Sequence, residues 1–475
     1  MKNSNAILLL LALFFVFLAA PARAEVTSST ASDQTGVEVT VYNSDLALVK
    51  DNRKVSLPEG EGELRFMDVA SAIRPETVHV KSKNHPDSLA VLEQNYEFDL
   101  ISPEKLLEKF VGKNIKIEMR NDYQDKSEIK DARLLSVNNG AVYEIDGQIY
   151  LNYPGLKIVP SIPDNLFARP TLAWLYSNGS KEPHEMEVSY LTGGMTWKAD
   201  YILVLGGDDK TADLTGWVTL ENRSGARYNN AVLKLIAGEV RQVREPMIQY
   251  RQMGRAAMPA PMAAPSFEEE EFFEYHIYNL SRPTTIGDNQ TKQISLLEAF
   301  DSKVKKELIA RGSSSYFQSS YRGSMKQKVD VEVSFKNSEE NNLGMPLPKG
   351  VIRLYKKDSG GSLQFIGEDR IDHTPRNEEV RLTVGEAFDV VAERRQTNYK
   401  KLADNLIETS WELTVKNRKK DEAATVTFME TAPGDWEVVS STGDYKKTSA
   451  FGLRFDVTAA PAEEKKVEFT IRSRF

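Results

Sequence analysis

The sequence predicts an all-β chain of serial β-sandwich (Ig-like) modules, with an inserted small SH3-like barrel and little helix. Three observations carry that prediction. After residue 24 most of the chain alternates apolar and polar residues with period two, the strand signature. Asn139-Gly140 and Asp146-Gly147 are strong hairpin signals set close together. One alternating strand pattern closed by Asn recurs three times: Trp217 to Asn222, Val331 to Asn337, and Trp411 to Asn417. The closing asparagines lie 115 residues (222 to 337) and 80 residues (337 to 417) apart, too unequal for a solenoid. Such spacing suits successive sandwich modules, each with one buried and one wet sheet face.

Composition narrows the function classes. Of 475 residues, 40% are hydrophobic and 27% charged, values of a globular chain rather than a disordered one. Mean hydropathy is −0.44, and after the N-terminus no apolar run approaches the roughly 20 residues of a membrane-spanning helix. Net charge is −8 over the whole chain. Without Lys2 and Arg23 it becomes −10 (59 basic against 69 acidic residues), which disfavours nucleic acid as a partner. Zero cysteines exclude disulfides, zinc-thiolate sites, iron–sulfur clusters and a thiol nucleophile.

The elements follow in order. Residues 1–24 read as a cleavable secretory signal: Lys2, an apolar run from Ala6 to Ala20, then Ala22-Arg23-Ala24. The mature chain is expected to begin near Glu25, outside the cytoplasm, with no transmembrane span. Residues 25–98 form an N-terminal β module, with strands at Val37–Tyr42, Leu46–Lys50 and Thr77–Lys81. Residues 99–160 form the small barrel. Its helix, 103 to 111, is marked by Ser102 as N-cap, Pro103 at the first helical position and Gly112 past the end. Residues 161–325 form a β-sandwich carrying a mobile Met/Pro/acidic loop at 245–271. Within that loop, Gly254 to Pro265 is rich in Ala, Met and Pro, and Glu268 to Glu271 is a pure acidic run. The flanking stretches Ala231–Val240 and Phe272–Leu280 read as strands of one sheet. Residues 326–400 and 401–475 complete the series as two further β-sandwiches, the last Ig-like. The final segment, Val467 to Phe475, reads as a sandwich strand, because Lys465, Lys466, Arg472 and Arg474 suit no lipid-facing barrel wall.

Four stretches carry a family resemblance. They are Tyr42 to Val49, Gly193 to Tyr201, Arg282 to Ile286 with Asn289 to Gln293, and Gly367 to Pro375. Together they resemble bacterial envelope proteins that carry a C-terminal domain of unknown function numbered 4139, some of which are named mucoidy inhibitor A. The resemblance implies an all-β secreted protein and brings no catalytic residues with it. The family label points to surface polysaccharide.

Several constellations carry residue types suited to chemistry. Glu368, Asp369, Asp372 and His373 share one short segment, and Asp389 and Glu393 are possible partners for a general base or half a metal site. Asp369, Asp372 and His373 are the catalytic candidates, set against the reading that the segment is a turn whose side chains cap backbone groups. His184-Glu185-Met186-Glu187 lacks the second His of a zinc motif, since Val188 stands in its place. Met247, Met253, Met258 and Met262 offer thioethers without His or Cys partners. Asp208, Asp209 and Asp213 do not follow the EF-hand spacing. No metal or cofactor site is therefore assigned. Trp174, Trp197, Trp217, Trp411 and Trp436 are candidates for stacking on sugars, with core packing expected of Trp197, Trp217 and Trp411. The resulting expectation is a periplasmic or extracellular, non-enzymatic binding or scaffold protein of the envelope, with an envelope protein or a glycan as partner. The alternative is a glycan-directed hydrolase using paired carboxylates.

Overall fold

Alternation in the sequence becomes alternation in burial. Along the strand Met195–Leu205 the side chains of Met195, Trp197, Ala199, Tyr201, Leu203 and Leu205 are buried, while those between them are not. The computed structural model describes residues 25–97, 101–121, 126–163, 166–238, 240–241 and 267–475. Strand accounts for 64% and helix for 5%, so the chain is all-β. The expected signal segment, and residues 245–266 of the expected loop with its four methionines, lie outside the described residues. The chain divides into two compact units, residues 1–37 with 49–191, and residues 38–48 with 192–475.

In the first unit, Gly60–Met67 pairs in parallel with Glu25–Ser29 and antiparallel with Thr171–Asn178. Thr171–Asn178 in turn pairs with Leu89–Glu97. Leu64, Phe66, Leu172, Trp174 and Tyr176 pack the inner face. Arg53 is buried with Asp51 (2.8 Å), and its guanidinium lies 3.6 Å from the centroid of the Phe66 ring.

Because Thr171 pairs directly with Glu97, everything between them is an insertion in one connection. The insertion holds the helix Pro103–Phe110, capped by the Ser102 hydroxyl accepting from the Lys105 amide (3.1 Å). A five-stranded antiparallel sheet follows. Both hairpins turn where expected, with positive φ at Asn139, Gly140, Asp146 and Gly147. Phe110, Ile115, Ile117, Leu134, Tyr143 and Ile145 form its own core. The expected closed barrel is not formed among the described residues. The edge strands Gln148–Leu151 and Leu156–Ile158 are four and three residues long, and each pairs on one side only.

In the second unit, Tyr228–Ala237 pairs antiparallel with Tyr275–Leu280, as anticipated, and in parallel with the segment Glu38 to Tyr42. The acidic run is corrected from mobile loop to strand: Phe267–Phe272 pairs with Tyr275–Leu280. Its self-repulsion is relieved locally. Glu269 binds His276 (2.8 Å) and Arg376 (3.1 Å), and Phe267 is buried. A second sheet runs Gln290–Lys303, Thr211–Asn222, Met195–Leu205, Gly350–Lys357, Leu363–Ile371.

The C-terminal sheet is a nine-stranded path in the order Asp435–Ser441, Glu464–Arg474, Leu406–Asn417, Glu379–Ala403, Ser324–Lys336, Lys305–Arg311, Ala424–Thr431, Gly452–Ala459, Tyr445–Lys447. Residue 400, where the sequence suggests a module boundary, lies inside Glu379–Ala403. Phe455 and Phe469, from strands near opposite ends of the path, have ring centroids 4.7 Å apart, so the sheet folds back over its own core. Arg394 and Glu430 are buried there as an ion pair (2.8 Å), and the guanidinium also donates to the Ala310 carbonyl (3.0 Å). Burial drives the Glu430 carboxyl above its usual range against the pull of Arg394.

Candidate functional site

Of the acid and histidine candidates in the Gly367–Pro375 segment, Glu368, Asp369 and His373 are occupied by local work. Glu368 pairs with Arg353 across the adjacent strand (3.3 Å). Asp369 accepts from the amides of Arg370 (2.8 Å) and Thr383 (2.7 Å), which engages both its oxygens. Asp372 is exposed, and its carbonyl accepts from the Thr374 hydroxyl (2.9 Å). His373 is half-buried and takes the Lys349 amide on Nδ1 (3.2 Å). Asp389 is exposed. Glu393 is bound to Lys416 (2.7 Å), which holds its carboxyl below the usual range. Asp209 is clasped by Lys306 (2.7 Å) and Lys356, and Asp213 takes the Asp301 amide (3.0 Å). Among the described residues no group of three or more His, Asp or Glu could hold a metal ion.

Trp174, Trp197, Trp411 and Trp436 are buried, and Trp217 is half-buried on the opposite strand face from Val218. That corrects the core placement expected of Trp217. The register explains it: Trp217 follows Gly216, so it alternates out of step with the buried Leu214, Val218 and Leu220.

The thrice-repeated strand-plus-Asn pattern is a structural device. Asn222, Asn337 and Asn417 are each fully buried, and each ties its strand end to the loops beyond it. The Asn222 amide donates to the carbonyls of Ala226 (2.8 Å) and Gly287 (2.9 Å), while Oδ1 accepts from the Ser224 amide (3.0 Å). Asn337 donates to Met345 and Pro375 (3.0 Å each) and accepts from Gly344 (3.1 Å). Asn417 donates to Glu422 (2.8 Å), Ala459 (3.2 Å) and Ala460 (3.1 Å), and accepts from Lys419 (3.1 Å). Asn178 ends a strand of the first unit in the same way and was not singled out from sequence. Only an amide has the donors and acceptor these sites need together.

A concave feature lies on the outer face of the C-terminal sheet. Register places Asn398 opposite Ser410, Ser410 opposite Thr470, and Thr470 opposite Ser440, a row of short polar side chains crossing four strands. Ser410 and Thr470 share a hydrogen bond of 2.9 Å. The flanking rows carry long charged side chains. On one side Arg472 joins Glu408 (2.8 Å) and Glu437 (3.0 Å). On the other Glu412 joins Arg395 and Lys466 (3.2 Å each). Short residues between tall ones make a trough of about 320 Å³, lined also by Thr397, Ser441, Thr442 and Glu468. Both outer strands bulge at this row, between Gln396 and Asn398 and between Val438 and Ser440. Bulges bend a strand and re-aim its side chains. Trp411 and Phe469 reach the floor but are each 2% exposed, so no aromatic face is offered for stacking.

The flanking charges, one cation with two carboxylates on one side and one carboxylate with two cations on the other, sum to zero and leave Glu468 as the carboxylate of the lining. The trough is therefore a hydroxyl and amide surface of mildly acidic character, rich in groups that both donate and accept. Sequence reasoning missed it because its residues come from four strands, and register alone aligns them. The available signal was an excess of Ser, Thr and Asn at outward positions: Thr397-Asn398, Ser410, Ser440-Ser441-Thr442 and Thr470.

The trough lies within residues 186–475, the region matched by the family model described as Domain of unknown function (DUF4139). No curated protein matches the sequence. With more than half its length covered by that model, the chain belongs to the DUF4139 family.

Proposed function

We propose that this is an exported, non-enzymatic binding or scaffold component of the cell envelope, engaging its partner through the outer face of the C-terminal sheet. The observation that carries the reading is the transverse trough, whose volume is at the lower end of the range of ligand sites. Its lining of hydroxyls and an amide is suited to recognition. A hydrolase needs two carboxylates facing a substrate. Asp369, the first acid of that alternative, spends both oxygens on backbone amides. Export is the expectation from the first 24 residues.

The test uses the full chain in cells, with a photo-reactive residue at Ser440 inside the trough or at Thr458 outside it. A discrete adduct formed from position 440 and not 458, on protein recovered from the envelope fraction with an N-terminus near Glu25, supports the reading. Equal labelling from both positions, or recovery of the uncleaved chain from the cytoplasm, refutes it.

A further inference from the structure

We infer that the trough is a subsite for a neutral, polyhydroxylated ligand, a short oligosaccharide segment lying across the strands; this rests on the binding reading above. Four strands at about 4.8 Å spacing make the Asn398–Ser410–Thr470–Ser440 row about 14 Å long. The row runs perpendicular to the strands, so an extended ligand lies along it rather than pairing with backbone edges. Each Ser or Thr hydroxyl donates once and accepts twice, and the Asn398 amide does both. Sugar hydroxyls have the same dual character, so the match holds in either orientation.

Charge sorts the ligand further. Arg472 is shared between Glu408 and Glu437, and Glu412 between Arg395 and Lys466, so the three cations and three carboxylates flanking the row sum to zero. Glu468 adds a carboxylate to the lining. A polyanionic chain would meet a lining whose net charge, with Glu468 added to the balanced flanks, is negative. A neutral chain meets only dipoles. Without an exposed aromatic platform the subsite is a weak one, and long chains gain by engaging it repeatedly.

The experiment titrates the full chain, by heteronuclear NMR or calorimetry, with maltohexaose, cellohexaose and the anionic hexamer of galacturonate. At least one neutral hexasaccharide is expected to bind with a Kd below about 10 mM, and the galacturonate hexamer more weakly. The double variant Ser410→Ala/Thr470→Val removes two hydroxyls and is expected to weaken binding at least about fivefold. Thr425→Val breaks a comparable cross-strand hydroxyl pair outside the trough, Thr425 with Thr458 at 2.8 Å, and should leave binding unchanged. Unfolding curves of both variants separate a folding defect from a lost contact. Binding of none of the hexamers, preference for galacturonate, or equal effects of the two variants overturns the inference. If the position-440 adduct forms on a protein while no hexasaccharide binds, the binding reading stands and this inference falls. If neither occurs, both fall.

Discussion

Replacing Asn417 separates the two jobs its side chain performs. In Asn417→Ala the amide's donation to Glu422, Ala459 and Ala460 is lost, together with the bond accepted from Lys419. Nδ2 has two hydrogens, so three full bonds are removed in all, at a net cost of about 1 kcal/mol each. The expected destabilisation is about 3 kcal/mol. With a urea slope of about 3 kcal/mol/M, the midpoint should fall by about 1 M. Asn417→Asp keeps the shape and the acceptor but aims an oxygen at three carbonyls. Ionisation is opposed there, so the folded state holds this carboxyl above its unfolded value of about 3.9. A raised acid contributes its stability below the unfolded value and loses it as pH rises through the folded value. Asn417→Asp should therefore approach wild type below about pH 4 and fall away toward neutrality. Tryptophan fluorescence in urea, with amide exchange of the Ala424–Thr431 strand as a second probe, measures both. An alanine cost under about 1 kcal/mol, or an Asp-minus-wild-type difference flat from about pH 3.5 to 7, would refute the locking argument.

Three further outcomes follow from the packing. Glu430→Gln strands the buried Arg394 charge and should cost about 3–5 kcal/mol in the same urea titration. Gly312→Ala should be comparably harmful, because its Cβ would overlap the Glu430 carboxylate. His184 is fully buried between the Ser82 hydroxyl (2.9 Å) and Asn178 Oδ1 (3.0 Å), and burial, then the neighbouring His85, lowers its pKa. Its contribution should be complete above about pH 6.5 and drain as pH falls toward the lowered folded value, a slope that His184→Gln should flatten in denaturation curves taken across that interval.

What the sequence disclosed was local. Ser102 and Pro103 placed the helix start, Asn139-Gly140 and Asp146-Gly147 placed two turns, and the strand-plus-Asn repeat marked three strand ends, whose asparagines the sequence assigned to polar turns and the structure buries. The Ala231–Val240 and Phe272–Leu280 stretches were joined in one sheet by their shared alternation, and Ala237 does pair with His276. Period two reports which face a side chain takes, not which strand lies beside it. For that reason the partnership of Glu38–Tyr42 with Val232–Ile236 was unreadable, and so was the Asn398–Ser410–Thr470–Ser440 row. The acidic strand was hidden for a different cause. Its charge is offset by Arg376, more than a hundred residues on, and Glu269 also bonds His276, five residues beyond the run.

The parallel pairing of Glu38–Tyr42 with Val232–Ile236 also sets a clock. Glu38 is synthesised 194 residues before Val232, a delay of about 10–40 s at about 5–20 residues per second. Throughout that interval the strand holding Val39 and Val41, which end up fully buried, has only the next strand, Leu46–Val55, of its two sheet neighbours. One edge of this early strand therefore waits for a neighbour that does not yet exist. Whatever shields a short apolar segment during that wait governs how much of the newly made chain reaches its final form.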